Sequence, residues 1–326
     1  MKAQFKLRGG KAVSAVGAKP FVKWAGGKTQ LLGELIKRIP KTIESTGNID
    51  SYIEPFVGGG AMFFYLKNKF NIRKSFLFDI NRELIVGYKS IQNNHKKLIS
   101  RLKEIEKEHL DKKDEERENQ YYNIRDSYNK KMLDFDYDKY TDEWIERASY
   151  LIFLNKTCYN GLFRQNRKGG FNVPYGRYKN PKICCTENII KVNKALKNTE
   201  IFCDDFTKSK KYIKKGSFVY FDPPYLPISQ TSSFTGYSKE DFTEKDQVRL
   251  ADFFEKMGKR GAYLMLSNSD PKNEDPTNDF FDKLYKKYID TMDRVLASRM
   301  INCNGSGRGQ INELIITNYE HGGKKL

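Results

Sequence analysis

The chain has 326 residues, room for one large domain or two medium ones; with a mean hydropathy of −0.72, no uncharged apolar run approaches the roughly 20 residues of a membrane helix. An aromatic content of 13%, from 20 Tyr, 22 Phe and 2 Trp, excludes a disordered chain, because that much apolar area can fold. A formal charge of +18 points to a polyanionic partner, since clustered Lys and Arg gain free energy by releasing counterions from phosphates; general lysine enrichment is the alternative.

The opening MKAQFKLRGGKAVSAVGAKP is basic, with an apolar stretch too short for a secretory signal, so a mobile arm is expected ahead of a transit peptide. FVKWAGGKTQLL, residues 21–32, reads as a glycine loop entering a helix, with Trp24 between Lys23 and Lys28. Its spacing is not that of a phosphate-binding P-loop. A tryptophan beside glycines can cap a flat ligand, and Lys28 can meet a carboxylate; an ordinary core tryptophan at a helix start fits equally. DSYIEPFVGGGAMFFYL predicts a strand over 51–54, a glycine turn and a helix from about Gly60, and KSFLFDIN predicts a second strand ending at Asp79.

Residues 81–154 read as mostly helical, charged and tyrosine-rich. Residues 155–182 differ: they hold seven basic side chains and no acid, interleaved with Gly, Asn and Tyr and broken by FNVP and KNP. Three further strands are expected at 217–222, 262–267 and 313–317. The two ends of the chain, 1–90 and 191–326, would then build one α/β catalytic domain, with 91–190 inserted into it.

The turn FVGGG lets the backbone pass close to a ligand, and Asp79 follows at the separation where an acid on the next strand accepts hydrogen bonds from ribose hydroxyls. Without a G-x-G-x-x-G pattern this favours a nucleoside lacking a pyrophosphate, with a tight structural turn as the alternative. Five cysteines without a C-x-x-C pair and three scattered histidines give no zinc site, and an odd thiol count points to a reducing cytoplasm.

YFDPPYLP, residues 220–227, carries the sharpest signal. Pro223 and Pro224 have no amide hydrogens to give a sheet, so the strand should end at Asp222 and run into a stiff corner. An exocyclic amine on a nucleobase is a poor nucleophile because its lone pair is delocalised into the ring. Acceptors on its two N–H groups free that pair: Asp222 can supply one, the carbonyl of Pro223 the second, while Tyr225 stacks on the base.

FDPPY together with FVKWAGGK, EPFVGGGAMFF, LFDIN and NKTCYNGLFRQNRKGGFNVPYGRYKNP resembles the Dam-type (alpha class, D12) DNA adenine-N6 methyltransferases, including enzymes of restriction–modification systems. INCNGSGRGQINELIITNY, near the end, is similar to that family too. The resemblance implies a Rossmann-like α/β methyltransferase fold, with a mixed, mostly parallel seven-stranded sheet and an inserted, mainly helical target-recognition domain. It implies S-adenosyl-L-methionine as donor and S-adenosyl-L-homocysteine as product, without a metal. On this pattern Trp24, Ala25, Gly26 and Lys28 border the methionine portion. Glu54, Pro55, Phe56, Gly58 and Gly60 pass beneath it, Asp79 binds the ribose, and Asp205 with Phe206 holds the donor's adenine. Asp222 stands where donor and acceptor meet, with Pro223, Pro224 and Tyr225 completing the catalytic corner.

The implied partner is double-stranded DNA, commonly at GATC, with the target adenine flipped out of the stack. By resemblance Lys23, Tyr159, Asn160, Leu162, Arg164, Asn166, Pro174 and Tyr178 meet DNA. Arg164 can make a bidentate contact to guanine, and Tyr159 and Asn160 can enter the vacated gap. Arg167, Lys168, Arg177 and Lys179 are assigned to phosphates. TSSFTGYSKEDF, with Phe234 and Tyr237, would close over the base or be an ordinary surface loop. A monomer is expected, with a cognate restriction endonuclease acting on the same site without direct contact. The competing functions are methylation of cytosine N4 or an RNA base, and a non-catalytic DNA-binding regulator of the same fold.

Overall fold

A computed structural model describes residues 17–24, 26, 31–166, 168–225, 242–298 and 310–322. Helices α1 (Leu32–Ile36) and α2 (Lys41–Thr46) precede β1 (Asn48–Glu54), α3 (Ala61–Lys69) and β2 (Asn71–Asp79). A helical block follows: α4 (Arg82–Leu110), α5 (Asp114–Lys131), α6 (Glu143–Thr157) and, after a basic segment, α7 (Thr186–Ala195). The chain returns through β3 (Thr199–Cys203), β4 (Phe218–Phe221), α8 (Glu244–Gly258), β5 (Tyr263–Ser269), α9 (Phe280–Leu284), β6 (Met292–Ser298) and β7 (Gln310–Thr317).

Among the described residues the seven strands form one sheet in the order β3-β2-β1-β4-β5-β7-β6. The first five are mutually parallel; β7 runs antiparallel between β5 and β6. The seven-stranded, mostly parallel sheet is therefore present. Five strands match the expected positions, and β3 and β6 are additional. β4 stops at Phe221, one residue before the expected end, because Asp222 already leads into the prolines.

Alternation along the central strands divides two apolar cores. Tyr52, Phe218, Tyr220, Met265 and Ile315 face one core, shared with the helical block, while Ile53, Val219, Phe221, Leu266 and Ile316 face the other, covered by α8 and α9. α4 starts at an Asn81 side chain that accepts the Leu84 amide at 3.1 Å and bends at Asn94 (φ −148°, ψ 62°). It thus runs through residue 91, and Ile91, Leu98 and Leu102 join the core that also holds Tyr52 and Tyr220. A buried ion pair ties its first turn to α6: Arg147 Nε donates to Glu83 Oε2 at 2.8 Å, and the Tyr128 hydroxyl donates to the same oxygen at 2.7 Å. Removing one member would cost about 3–5 kcal/mol, because the other charge would be left buried and alone.

Candidate active site

Because β3, β2, β1, β4 and β5 are parallel, their carboxyl ends share one edge, and β1 and β4 flank the point where the strand order reverses. In an open α/β sheet this is where a ligand crevice forms. Glu54 closes β1, Asp79 closes β2, Asp204 and Asp205 follow β3, and Asp222 follows β4. Sequence-distant acids thus meet at one place.

Glycines shape the turn after β1. Gly58 (φ +46°) and Gly60 (φ +72°) lie in the left-handed region, where a Cβ is strained. A Cβ on Gly60 would also stand 2.5 Å from the Tyr88 hydroxyl, which donates to the Gly58 carbonyl at 3.1 Å. The turn is held against β2 through Asp79: Gly58 N donates to Oδ2 at 3.0 Å, while Asn81 N, just past β2, donates to Oδ1 at 2.9 Å. Burial pushes the Asp79 carboxyl above its ordinary value, and these two amides oppose that rise. Glu54 is 2% exposed and accepts the Tyr52 hydroxyl at 2.7 Å. Its carboxyl is held well above the usual range, chiefly by burial and further by the charges of Asp222 and Asp79.

Trp24 does not stand as an open wall. Its indole stacks on Phe163 of the basic segment at 4.9 Å, and a Cβ on Gly58 would touch it at 3.1 Å. It therefore bridges the glycine turn and the inserted segment, a tertiary contact that neither stretch announces alone. Gly26 occupies an exposed left-handed turn beside it (φ +71°). Pro55 is buried and Phe56 half-buried. Phe206, 2% exposed, packs against Phe56 and Phe253 at 5.4 and 5.5 Å. Asp205 Oδ1 accepts the Thr207 amide at 3.0 Å, and its Oδ2 pairs with Arg249 Nη2 at 2.9 Å. Arg249 lies over Phe206, 4.8 Å from the ring centre.

The corner after β4 is braced from three elements by residues to which the sequence assigned no role. Ser267 of β5 donates to Asp222 Oδ1 at 3.2 Å. Gln247 of α8, itself held by Asn268 at 3.1 Å, donates to the Pro224 carbonyl at 3.2 Å. The Tyr225 hydroxyl donates to Glu313 of β7 at 2.5 Å. Pro223 is buried and Pro224 exposed, so the corner emerges from the sheet between them. One signal for these partners was legible: SNS at the end of β5 and Glu313 within β7 are polar residues in otherwise apolar strands. Ile80, 52% exposed directly after Asp79, was missed as well; an apolar side chain left open at this edge can face a flat ligand.

The basic segment forms an irregular hairpin, with bridges between Cys158 and Tyr175 and between Gln165 and Phe171. Phe163, Phe171, Val173 and Tyr175 are buried, and Tyr121 donates to the Val173 carbonyl at 2.7 Å, docking the hairpin on α5. Tyr159 (59% exposed), Asn160, Arg164, Lys168, Pro174, Tyr178 and Lys179 face outward; Leu162 is half-buried. Asn160 sits in the left-handed region (φ 58°), and its carbonyl accepts Lys23 Nζ at 2.6 Å, so those two predicted residues are joined. Arg164 Nε is steadied by Asn172 at 2.9 Å.

Two of the predicted DNA-contact residues also make contacts within the protein. The Asn166 side-chain oxygen accepts the Lys168 and Gly170 amides at 2.9 and 3.0 Å, which makes it a turn brace. Arg177 pairs with Asp114 at 3.2 Å and Glu118 at 2.5 Å, so its charge pins the hairpin to α5. Ala25, Lys28, Arg167, Phe234, Tyr237, the arm through residue 16 and INCNGSGRG lie outside the described residues. No cluster of His, Cys, Asp or Glu that could hold a metal is found among the described residues.

A parallel sheet with a glycine turn after β1, an acid closing β2 and an acid–proline–proline–tyrosine corner after β4 defines an α/β methyltransferase acting on an amino group. Family comparison narrows the class: the profile of the D12 class N6 adenine-specific DNA methyltransferases matches residues 24–298, and the chain belongs to that family. Over 302 residues it is 50% identical to the type II methyltransferase M.MjaIII of Methanocaldococcus jannaschii, covering 92% of this chain and 99% of that one. It is 38% identical to the type II methyltransferase M1.LlaDCHI of Lactococcus lactis subsp. cremoris over 93% of this chain and 96% of the relative. With the DNA adenine methylase of Escherichia coli K12 the identity is 32%, over 91% and 94% of the two chains. The protein is thus an adenine-N6 DNA methyltransferase, and methyltransferases of this family and fold use S-adenosylmethionine in general.

Proposed function

We propose that this chain methylates adenine N6 within GATC in duplex DNA, with the target base flipped into the crevice beside Asp222. The observation that carries this reading is the braced Asp222–Tyr225 corner at the strand-order reversal, next to the glycine turn and Asp79. S-adenosyl-L-methionine supplies an activated methyl on a sulfonium and leaves as S-adenosyl-L-homocysteine. The residues present suit it: the Gly58 and Gly60 turn admits a close backbone approach, and Asp79 is oriented by two amides with lone pairs left to accept ribose hydroxyls.

In this reading Asp222 and the Pro223 carbonyl accept the two N–H groups of the amine, Tyr225 stacks on the purine, and catalysis is mainly positioning. Asp205 and Phe206 bound the adenine of the donor, with Ile80 opposite. The outward hairpin residues meet the duplex: Arg164 reads guanine, Tyr159 and Asn160 enter the gap, and Lys168 and Lys179 meet phosphate. Residues 91–190 serve as the recognition unit, fused to the catalytic sheet through the shared core. The two relatives named type II methyltransferases support a role beside a restriction endonuclease of the same site, without contact between the proteins. Incubation with labelled donor and duplexes bearing or lacking GATC tests the reading. Label in adenine only with GATC is the expected result; label in cytosine or RNA, or binding without transfer, overturns it.

A further inference from the structure

The register of β4 on β5 places Tyr220 opposite Met265 and Phe221 opposite Leu266, so the next position, Asp222, comes level with Ser267. Alternation along the strands puts Tyr220 and Asp222 on one face, the face that Met265 and Ser267 share. Two hydrogen bonds follow. The Ser267 hydroxyl donates to Asp222 Oδ1 at 3.2 Å, and the Tyr220 hydroxyl lies 2.8 Å from Ser267 Oγ. A serine hydroxyl has one proton, so with that proton directed at Asp222 the second bond runs from Tyr220 to Ser267. Tyr220 is 1% exposed and Ser267 fully buried, so water does not compete for either.

We propose that Ser267, backed by Tyr220, is a positioning residue that fixes the orientation of the Asp222 carboxylate toward the target amine by holding its Oδ1. The inference rests on the reading that Asp222 accepts from that amine. The hydrogen bond from Ser267 also favours the accepting, ionised form of Asp222. Among the described residues, Tyr52 and Glu54 of β1 and Tyr220 of β4 feel the charge of Asp222, and Glu313 of β7 faces Tyr220. A negative charge on any of these groups would favour a proton on Asp222, whereas a donated hydrogen bond favours its loss. Ser267 is the neutral donor on the side of that balance that keeps the carboxylate charged.

The test is single-turnover methyl transfer on duplex DNA, measured across pH, for the parent, Ser267→Ala, Ser267→Thr and Tyr220→Phe. Ser267→Ala is expected to lower the transfer rate about tenfold to a hundredfold, the scale of a small misplacement of a reacting group, with donor and DNA affinities within about twofold of the parent. The acidic limb of its rate profile should move to higher pH, because Asp222 then holds its proton more tightly. Tyr220→Phe should give a smaller change in the same direction, and Ser267→Thr, which keeps the hydroxyl, should recover most of the rate. An unchanged rate and pH profile in Ser267→Ala, or a loss confined to donor or DNA affinity, overturns the proposal. Asp222→Ala serves as reference: if it retains turnover, the underlying reading of Asp222 fails, whatever Ser267 does.

Discussion

In the proposed reading the strand-edge crevice and the basic hairpin share the function, yet they are built in opposite ways. In the crevice Glu54, Asp79, Asp205 and Asp222 each have a hydrogen-bond or ion-pair partner within the protein. In the hairpin Phe163, Phe171, Val173 and Tyr175 are buried as anchors, while Tyr159, Arg164, Lys168 and Tyr178 stand in solvent. Chemistry on a delocalised amine needs geometry set before substrate arrives, because misplacement by about 1 Å can cost on the order of 100-fold. Groove reading needs reach, so the hairpin fixes its backbone and leaves the tips open. Trp24, stacked on Phe163 and resting against Gly58, is one contact through which the two regions meet.

The difference is broken most severely at Asp222. Asp222→Ala should lower methyl transfer on the order of 10³-fold while leaving duplex affinity nearly intact. Gel-shift titration beside a transfer assay checks both halves, and retained turnover would remove the residue from the mechanism. Arg164→Ala comes next. It should leave transfer on the preferred site measurable but relax discrimination at one guanine by roughly 10- to 100-fold, the worth of one bidentate contact. Competition between duplexes differing at single base pairs would show it, and a uniform loss over all sequences would assign Arg164 to the backbone.

Both residues were legible in the sequence because their chemistry sits in contiguous stretches, D-P-P-Y and the acid-free run at 155–182. The sheet was legible where strands are buried on both faces. β3 and β6 escaped because they are the two edge strands. β3, TEIFC, has mixed burial, and β6, MDRVLAS, carries Asp293 and Arg294, which pair with Arg38 and Asp270. Neither reads as an apolar run. Ser267, Gln247 and Glu313 were not assigned roles because they reach the corner from β5, α8 and β7, and only the register brings them there. The ion pairs of Arg177 escaped for the same reason: its partners Asp114 and Glu118 lie about 60 positions away on α5.

A third effect is one of stability and belongs to the crevice alone. Burial raises the Glu54 pKa, so the folded chain binds that proton more tightly than the unfolded one. Its contribution is therefore fully present at pH below the unfolded carboxylate value and is lost as pH climbs through the raised one. Glu54→Gln cannot ionise. The variant's melting midpoint relative to the parent should improve between pH 5 and pH 9, by about 2 to 4 °C if the buried charge costs about 1 kcal/mol. Thermal melts of unliganded protein at the two pH values decide it, and a constant difference would mean that folding does not raise the Glu54 pKa.

The smallest effects lie among the hairpin's cations, where two arginine-or-lysine changes that look alike in sequence should differ in kind. Lys168 is exposed beside the Asn166 turn, and its positive charge is available to a phosphate. Lys168→Ala should weaken binding of all duplexes alike, by a few-fold at moderate salt, and reduce the slope of log affinity against log salt by about 1. Arg177 is already neutralised by Asp114 and Glu118 and sits in a left-handed backbone conformation (φ 52°) that its two ion pairs help hold. Exposed ion pairs of this kind contribute only about 0 to 1 kcal/mol. Arg177→Ala should therefore leave the salt slope near the parent's and lower stability slightly, whereas a slope reduced as far as in Lys168→Ala would return Arg177 to the phosphate contacts. Equal slopes for both would erase the distinction between a cation that braces the hairpin and one that meets the DNA.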